Sequence, residues 1–193
     1  HDATLQRLTG DARPVAEVST RELAAIFADH GGLLSVADAL DTFPRTRFNI
    51  DVKTADAAVP LGSVLADHPH RVLVTSFSDS NRRATVASVL RAGAEIPPAT
   101  SGGSRSIAAL RALSMMHLPA ARVLRGIDAL QIPERQGPVR VLTPALLHAA
   151  HRQGTEVHVW TVNDVDVMRR LIAAGVDGIV TDRADVAISA LRR

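Results

Sequence analysis

Short runs rich in β-branched residues alternate with longer amphipathic stretches from one end of this 193-residue chain to the other, and that alternation restricts the fold more than any other feature. RFNIDVK (47–53), RVLVTSF (71–77), ALQIP (129–133), EVHVWTV (156–162) and DGIVTD (177–182) read as strands, and a sixth, less well marked, lies at AGAEIPP (92–98). Helical periodicity occupies 20–29, 35–42, 61–67, 79–91, 104–114, 143–153, 164–174 and 184–193. In LTPALLHAAHRQG, Thr143 stands as N-cap, Pro144 at the first helical position and Gly154 just past the end. Strands separated by helices form βα units around a parallel sheet, so the chain is α/β: an open doubly wound sheet or a closed TIM (β/α)8 barrel. No linker or low-complexity stretch interrupts the pattern, and residues 1–193 are expected to form a single domain.

Composition narrows the functional classes. With 46% hydrophobic and 22% charged residues, the chain is globular and not disordered, and no apolar run is long enough to span a bilayer. The absence of cysteine excludes disulfides and thiolate metal sites, leaving oxygen and imidazole as metal ligands, and agrees with a reducing, cytoplasmic location. The sequence pI near 10.2 suggests a nucleic-acid partner, but the net charge is only +2. Arginine titrates late and raises the pI without a basic patch. Aromatic residues, at 3%, are too few for base-stacking platforms, so nucleic acid is set aside as a partner.

Three polar side chains stand out in FNIDVK. Alternation along a strand puts Asn49, Asp51 and Lys53 on one face and Phe48, Ile50 and Val52 on the other. Parallel strands are ordinarily apolar on both faces, so this row requires solvent, a ligand or mutual pairing; a structural Asp51–Lys53 ion pair satisfies the same pattern. Lys53 is the single lysine among 22 basic residues, and a compact ammonium suits a crowded anion site where a guanidinium does not. The one tryptophan, Trp160, shares a strand face with His158; it reads either as a pocket wall or as core. Asp182 reads as helix cap or ligand, and TSGGSR (100–105) as a small-residue loop able to receive a phosphate on backbone N–H groups. Among eight histidines, His148 and His151 read as surface residues on one helix, whereas His1 is followed directly by Asp2 and has a side chain suited to proton transfer near neutrality.

Together these stretches resemble the glycerophosphodiester phosphodiesterase family, in its actinobacterial form. HDATLQRLTG is similar to the family's H-D-x-T-L-x-R-x-T segment, FNIDVK to its N-I-E-I-K strand, HVWTVND to its x-V-W-T-V-N strand, and GVDGIVTDRADV to its closing G-V-D-G-I-x-T-D-x-P. The resemblance implies a TIM barrel and hydrolysis of a small-molecule glycerophosphodiester to glycerol 3-phosphate and an alcohol. It implies a divalent cation, Mg2+ or Ca2+, with Asp51 among the metal ligands, Lys53 facing the phosphate, His1 as one of two acid–base histidines, and Trp160 and Phe77 flanking the glycerol side of the pocket. Asp51 stands where the family carries glutamate, and Ala184 where it usually carries proline. The family's H-R-G and E-x-D motifs do not occur. The expectation is therefore a barrel whose first two βα units, about 40 to 50 residues, are absent from this chain. A non-catalytic barrel that binds a phosphorylated ligand, or a related phospholipase D-type phosphodiesterase, is the alternative.

Overall fold

Residues 2–191 are described by the computed structural model, and they divide into two compact units between Thr46 and Arg47. The first unit contains α1 (Gln6–Thr9), α2 (Thr20–Phe27) and α3 (Val36–Thr42). Reciprocal capping boxes start two of these helices: Ser19 with Glu22, and Ser35 with Asp38, each satisfying two backbone N–H groups that a helix start leaves without partners. Asp2 accepts a hydrogen bond from Arg7 Nε at 2.5 Å.

The second unit is built from strands β1 (Phe48–Asp51), β2 (Val72–Thr75), β3 (Ala99–Thr100), β4 (Ala129–Ile132), β5 (Arg135–Gln136), β6 (Val139–Arg140), β7 (Glu156–Val159) and β8 (Gly178–Ile179). Its helices are α4 (Ala58–Leu65), α5 (Asp79–Arg91), α6 (Ser104–Met115), α7 (Pro144–His151), α8 (Val165–Ala173) and α9 (Ala184–Leu191). β1–β2–β3 and β4–β7–β8 are parallel sheets, and a parallel bridge between Ser101 and Ala129 joins them. Six strands thus follow one another in sequence order. Among the described residues β1 and β8 do not pair, so the array is open and no ring is closed.

The register explains the polar row in FNIDVK. Asn49 pairs with Leu73 and Asp51 with Thr75; Ala129 pairs with Glu156, Gln131 with His158, and His158 with Gly178. By alternation Asn49, Asp51, Thr75, Ser101, Gln131, Glu156 and His158 share one face of the array. The opposite face carries Val52, Val74, Leu130, Ile132, Val157 and Val159, all buried. Leu130, Ile132, Val157 and Val159 pack with Leu110 of α6, Leu146 of α7, and Met168 and Leu171 of α8 in one apolar cluster. Helices α6, α7 and α8 cover this dry face.

Helix and strand positions follow the sequence pattern closely, apart from the unexpected one-turn α1 and three further differences. At AGAEIPP the chain turns, with Gly93 at φ +107°, and the strand is Ala99–Thr100, directly after the Pro97–Pro98 pair that lacks ladder N–H groups. α4 begins at Ala58, three residues before the expected start, because Pro60 falls in the first turn where no intrahelical N–H bond is needed. β5 and β6 form an antiparallel hairpin that alternation did not reveal; its turn lies at Gly137, φ +57°.

α4 and α5 cross so closely at Gly62 that an added Cβ would lie 2.1 Å from Ser88 Oγ and 2.7 Å from the Ser88 carbonyl carbon. Exposed glycine-to-alanine changes within helices stabilise by about 1 kcal/mol. Here overpacking reverses the sign: Gly62→Ala is expected to destabilise by about 1–3 kcal/mol, read as a lower urea midpoint at unchanged slope.

Candidate active site

All six parallel strands end on the same edge of the array, and the residues that follow β1, β2 and β7 meet there. Val52 N donates to Thr75 O at 2.8 Å, and Ser76 Oγ donates to Val52 O at 2.7 Å. Those two bonds fix the backbone immediately before Lys53 and Phe77 and bring the two side chains level. Lys53 Nζ forms an ion pair with Asp51 Oδ2 and stands 5.5 Å from the centre of the Phe77 ring. Phe77 in turn meets Trp160 edge-on, with ring centres 6.4 Å apart and planes at 87°. Trp160 is anchored by its N–H bond to Ile132 O at 3.1 Å, which continues the β4–β7 ladder past the strand end.

Asp51, Lys53, Phe77 and Trp160, named separately from the sequence, therefore lie in one cluster. Lys53 and Asp51 are both solvent-accessible, and Phe77 is 63% exposed, an uncovered aromatic surface next to an ammonium. Such an arrangement offers a cation to an oxyanion and a flat apolar wall to a carbon skeleton. His1 lies outside the described residues. Among those described, no three carboxylate or imidazole side chains converge as metal ligands, and the one carboxylate in the cluster, Asp51, is engaged by Lys53.

Other residues singled out in the sequence have structural partners. The Asn163 side chain binds Thr181 Oγ1, the Asp182 N–H and the Asp182 carboxylate at 2.9–3.0 Å, stapling the segments after β7 and β8. His151 is exposed but not free: its Nε2 lies 2.8 Å from Asp177 Oδ2, which also accepts from Val157 N at 2.8 Å. His158 pairs with Glu156 at 2.9 Å, and its ring fills the space a Cβ at Gly178 would occupy.

TSGGSR does not present free amides to a phosphate. The buried Asp79 carboxylate, from the start of α5, accepts Gly103 N at 3.1 Å, Ser106 N at 3.4 Å and Ser106 Oγ at 2.9 Å. It also faces Arg82 at 3.6 Å, and Arg82 reaches Thr100 Oγ1 at 3.1 Å. A Cβ at Gly103 would lie 2.9 Å from that carboxylate, so glycine admits it. The sequence signal for this bond was available only as an aspartate one residue after an N-cap serine, which looks like ordinary helix-start chemistry.

Parallel strands in sequence order, with a lysine–carboxylate pair and two aromatic rings at their carboxyl ends, define an α/β protein with a cation beside exposed aromatic surface at that edge. The sequence profile of the glycerophosphoryl diester phosphodiesterase family matches residues 1–186, and the chain belongs to that family of enzymes. It is 35% identical over 190 residues to a "Probable glycerophosphodiester phosphodiesterase 2" of Mycobacterium tuberculosis, an alignment covering 96% of this chain and 70% of the relative. The fold is similar to the crystal structure of a glycerophosphodiester phosphodiesterase from Thermotoga maritima, with a TM-score of 0.71, 19% identity, and coverage of 100% of this chain and 77% of that one. It is also similar to an Oleispira antarctica phosphodiesterase in complex with the product sn-glycerol-3-phosphate, with a TM-score of 0.68, 18% identity, and coverage of 99% and 77%. The family read from HDATLQRLTG, FNIDVK, HVWTVND and GVDGIVTDRADV is thus borne out.

Burial opposes ionisation of Asp79, but the N–H and O–H donors of Gly103 and Ser106, with Arg82 beside them, hold its carboxyl below the usual carboxylate range. A depressed folded-state pKa contributes stability that is fully present above the unfolded value near 3.9 and is lost as pH falls through the lower folded value. Asp79→Asn, which leaves Arg82 buried without its charge partner, is expected to cost about 2–4 kcal/mol at pH 7. Urea unfolding of the two proteins from pH 7 to pH 2 should show that gap narrowing only below about pH 4.

Proposed function

We propose that this chain carries out the glycerophosphodiester hydrolysis of its family, releasing glycerol 3-phosphate and an alcohol at the Lys53 cluster. The observation that carries the reading is the exposed ammonium held between a carboxylate and the Phe77–Trp160 pair at the carboxyl edge of the strands. Lys53 binds a non-bridging phosphoryl oxygen and offsets the charge that grows there as water adds to phosphorus. Asp51 holds the lysine in place through their ion pair. The Phe77 and Trp160 rings pack the glycerol carbons and exclude water from that side, and His1 exchanges a proton with the departing alkoxide or the entering water. The six strands are read as the wall of a (β/α)8 barrel, their polar face lining its interior.

Magnesium or calcium belongs to this proposal with Asp51 as one oxygen ligand; a bound cation would polarise the phosphoryl group. The described residues hold no group of three or more carboxylate or imidazole side chains, so they do not make a complete metal centre, and no step above is routed through the ion. Calcium titrated calorimetrically into chelator-treated protein should bind more weakly to Asp51→Asn than to wild type; equal affinity would remove Asp51 from the ligand set.

Lys53→Ala is expected to lower kcat/KM for glycerophosphocholine by about 10²–10³, measured as glycerol 3-phosphate release. Lys53→Arg should recover little, because the planar guanidinium cannot occupy the point-charge position between Asp51 and Phe77. Wild-type rates in both variants would sink the assignment of the site.

A further inference from the structure

A cavity adjoins the Lys53 cluster. It measures about 630 Å³ and is lined by Phe77, Ser78, Asp79, Ser80, Arg83, Arg105, Ser106, Ala109 and Val123. Phe77 is the shared wall, since the ring that stands 5.5 Å from Lys53 Nζ also bounds this cavity.

Its electrostatics are unbalanced. Arg83 and Arg105 are exposed, and neither has a hydrogen-bond or ion-pair partner among the described residues. Many other arginines at the surface do, as with Arg7, Arg13, Arg169, Arg170 and Arg183. Arg105 is the second residue of α6, where the amide dipoles oppose a cation. Arg83, in the second turn of α5, also repels the buried Arg82. The one carboxylate in the wall, Asp79, is already committed to Gly103, Ser106 and Arg82. Two guanidinium groups and one committed carboxylate therefore line the cavity, and the Ser78 and Ser80 hydroxyls, 2.7 Å apart, stand at the same wall. Two unpaired arginines on one cavity, one of them in the first turn of a helix, are an arrangement that an anion relieves and that nothing in the fold requires.

We propose that this cavity is a subsite for an anionic group, a second phosphoryl or a carboxylate, carried on the leaving alcohol of the diester. The inference rests on the hydrolytic reading above. A substrate whose reacting phosphate sits at Lys53 extends its headgroup past Phe77, and Arg83 and Arg105 take the second charge as paired charge-assisted hydrogen bonds. The enzyme thereby selects among glycerophosphodiesters by headgroup charge.

The test compares kcat/KM for bis(glycerophospho)glycerol, which carries a second phosphate, with that for glycerophosphoglycerol, which does not, in separate reactions and from the initial disappearance of each by mass spectrometry, because hydrolysis of the first releases the second. Wild type should favour the doubly charged diester about tenfold at low salt, and 1 M NaCl should erode that preference. Arg83→Gln/Arg105→Gln should reduce it to about twofold or less, while Arg83→Lys/Arg105→Lys, which keeps the charge, should retain part of it. No preference in wild type, or a preference unchanged in the glutamine double variant, would overturn the subsite. If neither diester is consumed, the hydrolytic reading fails by itself, and calorimetry with the same two diesters and inorganic phosphate then decides the cavity. Tighter, arginine-dependent binding of the doubly charged diester supports the subsite. Equal binding of both diesters, or arginine-dependent binding of inorganic phosphate only, overturns it.

Discussion

Parallel strands that follow one another in sequence order must all end on one edge, and everything functional in this chain depends on that constraint. Each βα unit returns the chain to the opposite edge before the next strand begins. Residues 53, 77 and 160 are far apart in the sequence but follow the carboxyl ends of β1, β2 and β7. The parallel register then brings them to the same height, and the Ser76–Val52 bond holds two of them there. A lysine and two aromatic rings become a site because the sheet is parallel, not because any local sequence gathers them.

The second constraint is the unequal hydration of the two faces. Helices α6, α7 and α8 bury one face under leucine, isoleucine and valine, and burial on that scale supplies the main driving force of the fold. The other face carries Asn49, Asp51, Gln131, Glu156 and His158. Polar side chains placed on the dry face would lose hydration without compensation, so the pattern fixes which way each strand faces. A buried polar network joins Asp79 with Gly103 and Ser106, Arg82 with Thr100, and Thr100 N with Asp128 Oδ2 at 2.7 Å. This network ties the segments that follow β2 and β3, and so steadies Phe77, which stands two residues before Asp79.

Much of this was legible in the residues themselves. Alternation in FNIDVK and EVHVWTV placed β1 and β7 and separated Asp51 and Lys53 from Val52, because a strand has a fixed two-residue period. Thr143, Pro144 and Gly154 marked α7 because helix ends have fixed chemical needs. The strand at Ala99 escaped because two residues carry no periodicity. The hairpin at 135–140 escaped because its exposed strands bury no alternating face. The Asp79 clamp escaped for another reason: a carboxylate's partners 24 and 27 residues away leave no local trace.

The sequence by itself determined the family, the α/β class, the order of elements and the residue types able to handle a phosphodiester, since each is written in short-range periodicity or in motif spelling. Only the tertiary structure decided that Lys53 lies beside the Phe77 ring, that Trp160 closes on the same ring, and that Arg83 and Arg105 share a cavity behind it. Those relations are distances between strands and helices. Strand pairing and helix packing set them, and neither is encoded within any one segment of the chain.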